Sequence, residues 1–256
     1  MEMSSTDSTI PLLSVVIPAY NEELRIRPAL HDILDFCSGQ SFTYEVIVVD
    51  DGSRDRTADI VREMNLPGIR VYSLVTNAGK GAAVRCGVLQ AKGERILYCD
   101  ADGATPFREV LRLLAAVDHG ADVAIGSRAL LAKDTSVSTV WYRKVMGRTF
   151  NGLVNFLILP GIADTQCGFK LFTRKAAQDV FSRQRSQGFS FDVELLFLAR
   201  KSGYQIAEIP VNWTNIPGSK VDLLRDSLRM LRDVFWFRWL YLRGDYRVIS
   251  SDKSGQ

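Results

Sequence analysis

The residues best suited to chemistry are acidic and sit in two tight groups, Asp50-Asp51 and Asp100-Ala101-Asp102. Each group ends an apolar run, Tyr44 to Val49 in the first case and Arg95 to Cys99 in the second. On extended backbone, residues i and i+2 project to the same side. Asp100 and Asp102 can therefore present two carboxylates to one hard cation, with phosphate oxygens completing its shell. A lone Asp-x-Asp is more often a solvated turn, but four carboxylates at two strand ends favour a functional site. Only two histidines are present, His31 and His119, each alone on a helical pattern, which argues against a His-rich metal site. Cys37, Cys86, Cys99 and Cys167 show no CxxC pair or zinc-like spacing and read as free thiols, mostly buried.

The elements that must position these acids alternate along the first half of the chain. Strand-like runs are expected at Leu13 to Pro18, Tyr44 to Val49, Ile69 to Leu74, Arg95 to Cys99 and Asp122 to Gly126. Helical spacing lies between them, ending near Phe36, Met64, Ala91 and His119. Thr105 is expected to cap the last of these helices, with Pro106 at its first position. Such alternation predicts an α/β fold, a mostly parallel sheet covered by helices. Ligands bind beyond the carboxyl ends of strands in such sheets, and the acids fall there. After Arg128 helical patterns dominate, broken by strand-like pieces at Gly168 to Thr173 and Tyr204 to Val211. One catalytic domain over 10–220 is expected, with a helical extension over 221–248 and flexible termini at 1–9 and 249–256.

Composition narrows the class. The 256 residues are 46% hydrophobic and 24% charged, ordinary for a folded protein, and a net charge of +3 gives no reason to expect nucleic acid. Met1 to Thr9 lacks a secretory core, and no run reaches the roughly 18 apolar residues of a membrane span. A cytoplasmic protein is expected.

Ordered motifs sharpen the reading. Ser14-Val-Val-Ile-Pro-Ala-Tyr-Asn-Glu22, Val49-Asp-Asp-Gly-Ser53, Asn77-Ala-Gly-Lys-Gly81, Asp100-Ala-Asp102 and Gly126-Ser-Arg128 resemble the family 2 inverting glycosyltransferases of the GT-A fold. Asp164-Thr-Gln-Cys-Gly-Phe-Lys-Leu-Phe172 is similar to the polyprenyl-phosphate sugar transferases among them. Asp-Ala-Asp-Gly-Ala-Thr at 100–105, Phe191-Asp-Val-Glu-Leu-Leu196 and Val211-Asn-Trp-Thr-Asn-Ile-Pro-Gly-Ser-Lys220 resemble the dolichyl-phosphate β-glucosyltransferase branch. The likeness spans about residues 12 to 222. It implies that Pro18, Tyr20 and Glu22 line a nucleobase pocket, with Asp50 or Asp51 touching base or ribose and Lys80 also on the nucleotide. It implies further that Asp102 binds Mg²⁺ or Mn²⁺, and that Asp100 shares the metal or faces ribose and diphosphate. Arg128 would face phosphate, with Arg143, Arg148 and Lys220 as further acceptor contacts. Asp164 would act as a base or orient the acceptor, unless it only caps a turn; Asp192 would bind sugar hydroxyls or only offset a helix dipole. The mannosyl relatives carry a metal-facing Gln where this chain has Ala104, and the N-terminal membrane helix of eukaryotic members is not expected here.

The implied reaction is a single inverting displacement from a UDP-sugar, with UDP-glucose the expected donor and polyprenyl or dolichyl phosphate the acceptor. GDP-mannose or a UDP-N-acetylhexosamine is the alternative donor, and a catalytically silent sugar-nucleotide sensor or membrane scaffold the alternative class. A phosphate acceptor has a second pKa near 6 and is already ionised at neutral pH, so it needs a cationic cradle more than a base. Between Leu223 and Arg247 six Arg face three Asp, and Val234 to Leu242 mixes aromatics with Arg. That mixture suits a helix lying on the cytoplasmic surface of a membrane; packing on its own core or on a second copy, as a homo-oligomer, is the bland alternative.

Overall fold

The computed structural model describes residues 10–138, 141–216 and 223–246. Residues 1–9 and 249–256 lie outside the described residues, as do Lys220 and the side chains of Arg143 and Arg148. In chain order the first half holds β1 (Leu13–Ala19), α1 (Ile26–Ser38), β2 (Tyr44–Asp50), α2 (Thr57–Glu63), β3 (Ile69–Ser73), α3 (Lys80–Gln90), β4 (Arg95–Cys99), α4 (Val110–Asp118) and β5 (Val123–Ser127). Then follow β6 (Val137–Ser138), α5 (Trp141–Leu157), β7 (Phe169–Thr173), α6 (Arg174–Arg183), α7 (Phe191–Lys201), β8 (Ile206–Pro210), β9 (Trp213–Thr214) and α8 (Leu223–Arg243).

Seven strands form one sheet in the order β3-β2-β1-β4-β7-β5-β8. All pairs are parallel except those of β7, which runs antiparallel between β4 and β5. The interior strands are apolar runs because both faces are covered. One face packs on α1, α2 and α4 through residues such as Leu30, Val48 and Leu113. The other packs on α3, α5, α6, α7 and α8 through Val84, Val154, Phe181 and Leu196. β6 and β9 form a separate two-stranded parallel ribbon.

Thr105 does not cap a helix. Pro106 is extended (φ −54°, ψ 132°), and a 3-10 turn over Phe107–Glu109 leads into α4. The first amide of that turn, Phe107 N, donates instead to Asp32 Oδ2 of α1 at 3.1 Å. The cap comes from a neighbouring helix, and no local pattern signals it.

α8 settles on the core along one stripe, with Met230, Val234 and Phe237 buried. Spacings of four and three place these on one face, and each contributes about 1.5–3 kcal/mol by leaving water. Phe235, Trp236, Trp239 and Leu242 remain exposed on the same helix, and Phe156 on α5 is 86% exposed. Core packing and an exposed aromatic face thus coexist. No helix among the described residues is long and apolar enough to cross a membrane. His31 and His119 are exposed, and the four thiols are free, three of them buried.

Candidate active site

The carboxyl ends of β1, β2, β4, β5 and β8 point to one rim of the sheet, and the amino end of β7 joins them because it runs the other way. A cavity of about 890 Å³ opens there. Pro18, Tyr20 and Glu22 line it from the end of β1, and Asp100 and Asp102 from the end of β4. Asp51, Lys80, Arg128, Asp164 and Asp192 line it as well. The structure therefore brings together nearly every described residue singled out from the sequence. Asp50 is the exception: it does not line the cavity, and its Oδ1 accepts the Ser53 amide at 3.1 Å, closing the turn after β2.

Asp51 is a brace. Its carboxylate accepts the backbone amides of Ala78 at 2.7 Å and Gly79 at 2.9 Å, and the Asn77 side chain at 3.0 Å. Burial pushes its carboxyl up, against these amides, which pull it down. This brace needs the turn to pass close by. A Cβ on Gly52, whose φ is +68°, would meet Asn77 N at 2.7 Å. The 76–79 loop then delivers the first turn of α3, and with it Lys80, to the cavity wall. The positive end of the helix dipole there suits an anionic ligand.

Lys80 Nζ lies 2.6 Å from Asp100 Oδ1. Burial alone would push this ammonium down, but Asp100, Asp192 and Asp102 outweigh it and hold it raised, so Lys80 is a cation at any physiological pH. Asp100 lies against Gly168, where an added Cβ would fall 2.5 Å from Asp100 Cγ. Glycine at 168 thus keeps room for the carboxylate. Asp102 is raised by burial and by the charge of Asp100, while its Oδ1 accepts the Ala104 amide at 3.0 Å. A buried carboxylate raised by a neighbouring carboxylate is an arrangement a divalent cation relieves. No group of three or more metal-ligating side chains occurs among the described residues. A cation here would take two carboxylates and fill its shell with ligand oxygens, as Mg²⁺ and Mn²⁺ do on diphosphates.

Arg128 and Asp164, which also line the cavity, form a forked pair. Arg128 Nε and Nη2 donate to Asp164 Oδ2 and Oδ1 at 2.7 and 2.8 Å, and Arg128 N donates to Oδ2 at 2.9 Å. Burial would raise the Asp164 carboxyl, but the Arg128 charge and hydrogen bonds overcome that and hold it low. The guanidinium lies 5.5 Å from the centre of the Trp213 ring, close enough for a cation–π contact. Asp164 is itself mounted from two elements, β8 and α5. Glu208 of β8 accepts the amides of Ala163 and Asp164 at 2.8 and 2.7 Å. Asn151 of α5 donates to Ala163 O at 2.7 Å and accepts from Thr165 Oγ1 at 2.7 Å, and Asn155 accepts the Gly161 amide at 2.7 Å. The asparagines that interrupt the apolar run of α5 are the staples of this loop.

Several cavity residues were not among those singled out from the sequence, including Arg25, Trp213 and Arg229. Arg25 forks onto Glu22 at 2.6 and 2.7 Å. Arg229 sits on the basic stretch of α8, and that basic bias was its one signal. Met146 and Phe150 of α5 and Met230 of α8 give the same cavity an apolar wall. The arrangement can hold a cation-bound diphosphate near Asp100 and Asp102 and a second anion near Arg128, beside apolar lining from α5 and α8.

Known proteins are similar to this chain in sequence and fold. The chain is 42% identical over 262 residues to dolichyl-phosphate beta-glucosyltransferase of Homo sapiens, covering 96% of this chain and 81% of that protein. It is 39% identical to the Saccharomyces cerevisiae protein of the same name, covering 92% and 76%. Its fold matches Mycobacterium tuberculosis glucosyl-3-phosphoglycerate synthase in complex with Mn²⁺, UDP-glucose and phosphoglyceric acid, with a TM-score of 0.63 at 21% identity over 90% of this chain and 79% of that one. Residues 14–181, from β1 through β7 and into α6, match the family model Glycosyl transferase family 2; the chain is a glycosyltransferase and belongs to that family.

Proposed function

We propose that the chain transfers glucose from UDP-glucose to dolichyl or another polyprenyl phosphate, with inversion, at the surface of a membrane. The observation that carries this reading is one cavity lined by Asp100, Asp102 and Lys80, by the Arg128–Asp164 fork, and by apolar residues of α5 and α8. Relatives of about 40% identity bearing the name dolichyl-phosphate beta-glucosyltransferase support glucose and dolichyl phosphate, and neither alternative donor gains support from them. The exposed aromatics of α8 and Phe156 supply a surface for contact with lipid.

Each residue then has a task. Pro18, Tyr20, Glu22 and Asp51 shape the nucleoside side. Asp100 and Asp102 would hold Mg²⁺ or Mn²⁺, which when bound neutralises charge on the departing nucleoside diphosphate. Lys80 and the amino end of α3 add positive charge to the same side. Arg128 meets the acceptor phosphate, since a planar guanidinium bonds two oxygens at once. Arg143, Arg148 and Lys220 remain further candidates for that anion. The acceptor is largely ionised at neutral pH, so its oxygen attacks the anomeric carbon without a dedicated base. Asp164 is best placed to hold Arg128, because both its oxygens are engaged and its carboxyl is held low.

Purified protein incubated with Mg²⁺ or Mn²⁺, radiolabelled UDP-glucose and polyprenyl phosphate in detergent should yield one lipid-linked β-glucoside. Transfer only to a lipid hydroxyl, or only from GDP-mannose, would overturn the acceptor or the donor assignment respectively.

A further inference from the structure

Behind the cavity wall lie three buried polar side chains, Tyr98, Lys170 and Asp192, none more than 2% exposed. Tyr98 on β4 and Lys170 on β7 are direct partners across the antiparallel ladder, so both leave the sheet on the same face. There they converge on one atom. The Tyr98 hydroxyl and the Lys170 ammonium both donate to Asp192 Oδ1, the lysine at 2.5 Å. Lys170 also donates to Cys167 O at 2.6 Å, and its Nζ lies 5.5 Å from the Tyr98 ring centre. Asp192, on the first turn of α7, lines the cavity beside Lys80 and Asp100.

Stability gives no reason for this arrangement. Apolar residues of similar volume commonly match or better a buried ion pair. The rings of Phe172, Phe181 and Phe191 that surround Tyr98 would pack as well on a phenylalanine. What two donors on one oxygen do is lock the rotation of a carboxylate that borders the ligand space. A locked carboxylate suits a hydroxyl in one fixed position. It also penalises an isomer that lacks a hydroxyl there, because the buried polar groups are then left unmatched.

We propose that Tyr98 and Lys170 are positioning residues that lock Asp192 onto a hydroxyl of the transferred hexose, and that this trio sets the sugar selectivity of the site. The proposal rests on the UDP-sugar reading above and adds where the sugar, as distinct from the nucleotide, is read.

Tyr98→Phe keeps the aromatic packing and removes one of the two donors. Calorimetric titration with UDP and with UDP-glucose, in the presence of Mn²⁺, separates nucleotide from sugar recognition. Turnover on UDP-glucose and its epimer UDP-galactose gives the discrimination ratio. In Tyr98→Phe the UDP affinity should stay within about twofold, while UDP-glucose binding weakens about tenfold, as expected for losing one hydrogen bond to a charged group. The glucose-to-galactose ratio of kcat/KM should fall with it, and Asp192→Asn should lose at least as much discrimination. Equal weakening of UDP and UDP-glucose with an unchanged ratio would mark Tyr98 as structural only and overturn the proposal, as would no change in either. A wild-type protein that binds neither uridine nucleotide would instead overturn the donor reading on which the proposal rests.

Discussion

Replacing Asp164 by Asn separates its two candidate roles, holding Arg128 or removing a proton. The carboxylate accepts three hydrogen bonds from Arg128 and one from Gln166 N at 3.1 Å. An amide of the same shape keeps one acceptor oxygen and turns donors toward the other pair. Breaking a fully buried ion pair costs about 3–5 kcal/mol, but the Arg128 side chain is 31% exposed, and water can take over part of its solvation. A loss of about 2 kcal/mol follows, equivalent to about thirtyfold in kcat/KM for the phosphate acceptor. The KM for UDP-glucose should not move if, as proposed, Asp164 serves the acceptor and not the nucleotide. The assay is glucose transfer to polyprenyl phosphate between pH 5.5 and 8, with and without added formate. Positioning predicts the same pH profile at every point, lowered uniformly, with no gain from formate. A loss of about a thousandfold or more that formate restores would make Asp164 a base and refute the reasoning.

Asp102→Ala should cut transfer by about 10²–10³-fold, the scale of losing one charge-stabilising group. Its thermal midpoint should not fall, since burial and Asp100 oppose the charge that is removed; a drop of several degrees would make the residue structural. Acid unfolding has two components of opposite sign. Asp164 is held low, so its contribution is complete above the ordinary unfolded value of about 3.9 and is lost as pH falls through the folded value. Glu194, pushed up by burial against the hydrogen bonds it accepts, costs stability while ionised and gives it back on protonation. Denaturant melts should therefore show stability holding or rising on descent from pH 7, then falling below about 4; a steady fall from pH 7 to 5 would contradict both. Trp236→Ala with Trp239→Ala should weaken vesicle binding about tenfold or more without altering UDP affinity, measured by flotation. Unchanged flotation would remove the lipid-contact role of α8.

The strand ends and the acids beyond them were legible because the sequence writes them locally, as apolar runs closed by Asp. The division of labour between Asp50 and Asp51 was not. Successive residues leaving a strand point opposite ways, so one braces the Asn77 loop at the cavity and the other closes a turn on Ser53. The cap of the 3-10 turn escaped because its carboxylate, Asp32, lies 75 positions earlier. The role of Asn151 and Asn155 was not legible, because their partners, Gly161 to Thr165, follow only after α5 has ended. Motif order found Arg128 and Asp164 but could not show that they grip each other. Arg25 carried no local signal, while Trp213 lay within a quoted motif and Arg229 in a basic stretch; that all three reach the cavity depends on which elements the fold brings to the rim.

The reversed strand β7 also dictates when the enzyme can come into being. β4 and β5 are never neighbours, and each waits for a strand that begins at residue 169 to fill the gap between them. As the chain leaves the ribosome, the first six elements can gather around β1, but β4 presents an unpaired edge until some seventy further residues have emerged. Asp100 and Asp102 sit at the end of that unfinished strand. The surroundings of the Asp100–Asp102 pair, the Lys170–Asp192 contact and the Arg128–Asp164 fork therefore all wait on one late, long-range pairing event, and a chain cut short before β7 would carry the acidic motif without a site.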